Sequence, residues 1–94
     1  MKAVNLLKEK SVIGDLIIEM VVWQLEIPVT GSTHHYKYRL YYGYAGECLV
    51  RYDNESGKGD HVHYTSGETS YEFVSLGQLI LDFQVDVERL SGGG

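Results

Sequence analysis

Cysteine occurs once, at position 48, so no disulfide can form within the chain. Long apolar runs are missing too. The longest, residues 16–27, is interrupted by Glu19, Gln24 and Glu26 and is too short to span a bilayer. The opening stretch MKAVNLLKEK lacks the apolar centre of a signal peptide. Together these absences predict a protein of the reducing cytoplasm with no membrane partner. Positive charge is scarce: 8 Lys and Arg against 13 Asp and Glu leave a formal net charge of −5. Tight, indiscriminate binding of DNA or RNA runs on phosphate neutralisation and does not fit that balance. A local basic pocket, or a basic partner, remains compatible with it. There is no Walker pattern, no internal repeat and no linker.

What the chain does have is tyrosine, 8 in 94 residues. Tyrosine favours strands and a half-wet, hydrogen-bonding surface. The length fits one domain, expected over residues 1–90 with a flexible tail at 91–94. Ala3–Ile13 is rich in β-branched and apolar residues and ends at the turn signal Gly14-Asp15. Residues 16–27 read as a second strand, apolar on both faces, hence central and covered on both sides. The second cover could be a dimer partner, or a bulge could switch the faces. Trp23 is assigned to the core.

Tyr36–Tyr44 and Glu47–Asp53 alternate apolar and polar residues and should form a hairpin. A two-residue turn would set Leu40 against Arg51 and mix the faces. A three-residue loop, Tyr44-Ala45-Gly46, sets Leu40 opposite Val50 and Tyr42 opposite Cys48, and is the register expected. It also sets Arg39 opposite Arg51 and Lys37 opposite Asp53. Cys48 then falls on the apolar face as a core thiol. Residues 54–60 form a polar loop, His61–Tyr64 a short strand, residues 65–70 a turn and residues 71–74 another short strand. Ser75 and Gln78 form a capping box, with Val74 able to staple onto Leu79. Leu76, Leu79, Ile80, Phe83, Val87 and Leu90 recur at helical spacing. The fold expected is α+β: an antiparallel meander of about five to six strands with one C-terminal helix on one face.

Two arginines facing each other across a hairpin repel unless something anionic lies between them. Arg39 and Arg51 could therefore hold a phosphate, or Asp53, Glu55 or Asp60 could neutralise them as an ordinary surface network. His61 and His63, two apart in an extended segment, point to one face. With Arg39, Arg51 and Lys58 they make a minimal kit for metal-free RNA cleavage. One imidazole takes the 2′-hydroxyl proton, the other protonates the leaving oxygen, and the cations hold the phosphate. The alternatives are two surface histidines on an edge strand, or a metal site of Asp60, His61 and His63, for which no complete ligand set can be drawn. Gly57-Lys58-Gly59 could wrap backbone N–H groups round a phosphate, or be a plain flexible loop. His34 and His35 receive no role.

The strings YKYRL (Tyr36 to Leu40), RYDN (Arg51 to Asn54) and GKGDH (Gly57 to His61), followed by His63, resemble the TumE family of small toxins from type II toxin–antitoxin pairs. The pairs Tyr71 with Phe73, and Asp82 with Phe83, extend the likeness from about Glu19 to Val87. The resemblance implies a cytoplasmic toxin neutralised by a helix-turn-helix antitoxin, and an RNA substrate. It favours a catalytic pair of His61 and His63. Arg39, Arg51 and Lys58 would then bind phosphate, Asp53, Asn54 and Asp60 would support them, and no cofactor would be needed. The competing expectation is a non-catalytic module that docks a protein or an anion through the same polar face.

Overall fold

The computed structural model describes residues 2–92. Six strands follow one another as an antiparallel meander: β1 (Ala3–Ile13), β2 (Leu16–Leu25), β3 (Tyr36–Tyr44), β4 (Glu47–Asp53), β5 (His61–Tyr64) and β6 (Gly67–Ser70). Helix α1 (Leu76–Leu90) then packs on one face of the sheet, over β4. The core lies between them. Val22, Tyr38, Leu40, Tyr42, Val50, Tyr52 and Val62 point up from the sheet to meet Leu79 and Phe83 of the helix. The expected α+β architecture is the one adopted.

The β3–β4 register differs from the expected one. The turn has two residues, Ala45 and Gly46, both at positive φ (52° and 83°), with Tyr44 opposite Glu47 and Gly43 opposite Cys48. Such a primed turn matches the twist of the strands. A bulge at Leu49 then adds one residue to β4, so Tyr42 pairs with Val50, Tyr41 with Arg51, Leu40 with Tyr52 and Arg39 with Asp53. The bulge restores the apolar face that the two-residue turn alone would have scrambled. Leu40 is therefore not opposite Val50, and Arg39 is not opposite Arg51. Cys48 is only partly buried, and burial pushes its thiol up, away from the reactive thiolate.

Residues 65–70 are not a simple turn: Tyr64 pairs with Gly67 across a tight connection, and Gly67–Ser70 forms β6. Residues 71–74 are not a strand. Their aromatics are spent on crossing to the helix. Tyr71 packs edge-on against Tyr52 and donates to Asp82, and Phe73 stacks on His34 at 3.8 Å. Ser75 caps the helix by accepting from Gln78 N (3.1 Å). The rest of the capping box is absent, because the Gln78 side chain donates to Asp82 instead. Val74 is 71% exposed and staples nothing. Ser91 closes the helix by donating its N–H to Val87 O. Of the expected tail, Gly93 and Gly94 lie outside the described residues.

Candidate functional site

The sheet face away from the helix carries the site. Strand alternation and the pairings across the sheet sort its side chains into rows. One row runs Lys10, Glu19, Tyr41, Arg51, His63, Glu68; the next runs Lys8, Val21, Arg39, Asp53, His61, Ser70. A third, shorter row holds Trp23 opposite Lys37. A groove of about 470 Å³ opens over this face, lined among others by Trp23, Lys37, Arg39, Arg51, Asp53 and Glu55. Trp23 is therefore not a core residue. It is 36% exposed, because it lies on the face of β2 turned away from the core.

His61 and His63 do share the face of Arg51, as alternation required. Their environments differ. His61 is buried, 4% exposed. Its Nδ1 donates to Gly59 O (3.0 Å), and its Nε2 lies 2.7 Å from Asp53 Oδ1. An oxygen acceptor thus faces each ring nitrogen. The Nε2–Oδ1 approach is too oblique for a hydrogen bond, so Asp53 Oδ1 is buried without a directed donor. His63 is 36% exposed. Its Nδ1 is buried and faces Glu68 Oε2 at 3.8 Å, which leaves Nε2 as the nitrogen open to a ligand.

The cations are paired as well. Arg51 Nε donates to Asp53 Oδ2 (2.8 Å). Arg39 donates to Glu19 (2.9 Å), and its guanidinium lies 4.9 Å from the centre of the Tyr41 ring. Lys58 reaches Glu68 Oε1 at 3.8 Å, which brings it beside the histidines. The facing-arginine cradle is thus replaced by a network of alternating charge in which both arginines still line one groove. Nor does the Gly57-Lys58-Gly59 backbone wrap an anion. Gly57 N donates to Thr30 O and Lys58 N to Glu55 O.

Two of the expected supporting residues serve elsewhere. Asn54, fully buried, accepts from Tyr38 N and donates to Tyr36 O and Ser32 Oγ, tying the loop after β4 to β3. Asp60 is turned to the helix side of the sheet, where it accepts from Ser32 Oγ, His34 Nε2 and Tyr38 Oη at 2.6–2.7 Å. Burial raises its carboxyl, but those three donors outweigh burial and hold it below the usual range. His34 Nδ1 accepts from Tyr36 N, which fixes the proton on Nε2 toward Asp60. Asp60 and the His61–His63 pair thus point to opposite faces and cannot close on one metal ion. Among the described residues no group of three His, Cys, Asp or Glu side chains could hold a metal ion.

Sequence reasoning missed Glu68, Glu19 and His34. Glu68 lay in a segment read as a turn; seen as a strand, it faces His63 by simple pairing. His34 had no periodic signal and is recognisable only from the fold. Residues 4–91 match the family model described as Toxin TumE. No curated protein and no solved structure matches the chain.

Proposed function

We propose, from the premise that the chain belongs to the TumE toxin family, that it is the toxin of a toxin–antitoxin pair and acts as a metal-independent ribonuclease. The observation that carries this reading is the convergence of His61, His63, Arg51 and Lys58 on one sheet face, beside a groove. The two histidines divide the work by environment. His63 Nε2 takes the proton of an RNA 2′-hydroxyl, and the freed oxygen attacks the adjacent phosphorus. The bond to the 5′-oxygen breaks as an imidazolium, His61, supplies the proton that the leaving oxygen needs. The products are a 2′,3′-cyclic phosphate and a 5′-hydroxyl end. Arg51, with Arg39 and Lys58, stabilises the charge that builds on the phosphate oxygens.

His61 must turn from Asp53 toward the substrate for that step. Its burial and its existing partners favour the second reading, a non-catalytic module in which the same face docks a protein or an anion. Under either reading a helix-turn-helix antitoxin is the partner expected from the family. Expression of the chain alone in a bacterium tests the first reading. Growth arrest that His63→Ala relieves at equal protein level, with cyclic-phosphate ends accumulating on cellular RNA, is the expected result. Arrest that persists in His63→Ala favours the docking module.

A further inference from the structure

The acidic net charge conceals a strong segregation. Lys8, Lys10, Lys37, Arg39 and Arg51 all project from the face opposite the helix, and Lys58 reaches the same face through Glu68. Only Lys2 and Arg89 remain of the chain's basic residues. The acids placed on this face by the strand pairings and the groove lining are Glu19, Asp53, Glu68 and Glu55, four against six basic residues. A protein of net charge −5 thus presents one cationic face, and its remaining surface repels polyanions. The cations extend well beyond the histidines. They run across the strands, from Lys58 beside β5 to Lys8 and Lys10 on the edge strand β1.

Within that track stand two aromatic rings. Trp23 is partly exposed opposite Lys37, and Tyr41 lies under Arg39. An exposed tryptophan flanked by cations on an open sheet face suits a ligand with both a planar π-face and a negative backbone. Nucleotides have both, but a duplex keeps its base faces stacked inside, so only unpaired bases can reach the indole. At about 4.8 Å between strands and about 3.4 Å per residue along them, Trp23 on β2 lies roughly 16 Å from His61 and roughly 20 Å from His63, a span of a few nucleotides. We infer that the face from β5 to β1 is a track for single-stranded RNA, on which an unpaired base stacks on Trp23 while the backbone follows Lys37, Arg39, Lys8 and Lys10. This rests on the ribonuclease reading for the position of the cleaved phosphate, but binding along the track does not require cleavage.

Trp23 is the chain's single tryptophan, so its fluorescence reports the platform directly. The full-length His63→Ala protein, titrated with poly(U), should show quenching that weakens steeply with salt. An RNA duplex and polyglutamate should quench little. In anisotropy measurements with labelled oligouridylate, Trp23→Ala should weaken binding about 5- to 150-fold. The double charge reversal Lys8→Glu with Lys10→Glu should weaken it too and flatten its salt dependence, while Lys2→Glu should not. That pair lies on the exposed edge strand, so it tests the track even if Trp23→Ala folds poorly. Absence of quenching by poly(U), or equal quenching by the duplex, overturns the inference. Equal quenching by polyglutamate overturns it in favour of an acidic peptide ligand. Cleavage by the unmodified chain is measured in parallel. Quenching without cleavage keeps the track and removes the ribonuclease reading. Cleavage that Trp23→Ala and the lysine reversals leave unchanged does the opposite.

Discussion

Asp53 is shared between Arg51 on one oxygen and His61 on the other, and that sharing makes the two histidines unequal. Removing the His61 ring leaves a largely buried carboxylate with one partner fewer, so His61→Ala should cost about 1–3 kcal/mol of stability. His63→Ala removes a ring with no hydrogen bond to the protein and should stay within about 0.5 kcal/mol of the parent. Denaturant midpoints of the two variants check this difference; equal losses would contradict the site as described. The common face of the pair was legible from two-residue spacing, but the burial of His61 was not, because burial depends on Gly59 and Asp53 converging from other segments. Asp86 was hidden for a different reason. Its charge reads as outward, but its spacing, seven residues after Leu79 and three after Phe83, puts it on the apolar stripe, where it accepts from Tyr52 and Tyr64 at 2.6 Å. Burial raises its carboxyl, but the donors Tyr52, Tyr64 and Arg89 outweigh burial, so it is held low, as Asp60 is. A depressed folded value means that these stabilisations are complete above the ordinary aspartate value of about 3.9 and fade as pH falls through the folded values. Asp86→Asn should therefore lower stability at neutral pH and make its decline in acid shallower, as urea melts at several pH values would reveal.

At the scale of elements, the strands followed alternation and the helix followed its 3.6-residue apolar repeat, which is why both were readable. The β3–β4 hairpin was not fully readable. A bulge leaves no mark on alternation when it corrects a turn, as the one at Leu49 corrects the Ala45-Gly46 turn. Tyr71 and Phe73 misled in another way: alternating aromatics served a crossing segment that packs on Tyr52 and His34. The helix start was correctly placed, and Ser75→Ala should destabilise the fold by about 1 kcal/mol, because Gln78 N loses its acceptor. A larger effect belongs to the GKGDH string. Gly59 has φ +73°, and a Cβ there would come 2.9 Å from Gly31 O. Gly59→Ala should cost roughly 1–3 kcal/mol, because the strained backbone cannot relax away from Gly31. Thermal melting checks it, and a near-neutral outcome would mean that the two loops do not cross as closely as described.

For the whole molecule, charge is the organising quantity. Net charge alone pointed away from a nucleic-acid ligand, whereas the sheet gathers most of the basic side chains on one side, a separation that composition cannot register. No helix among the described residues is long and apolar enough to cross a membrane. The long β1–β2 hairpin extends the cationic face well beyond the helix, with the chain spanning 39 Å along its longest axis. The central claim is that this face cleaves RNA with two histidines and no metal. Its most direct test is the rate at which the purified chain cuts single-stranded RNA in excess EDTA, followed across pH together with the chemistry of the new ends. The account predicts 2′,3′-cyclic phosphate ends, a bell-shaped pH profile from one neutral and one protonated imidazole, and no cleavage by His63→Ala. Cleavage that EDTA abolishes, or that His63→Ala retains at the parent rate, would contradict it.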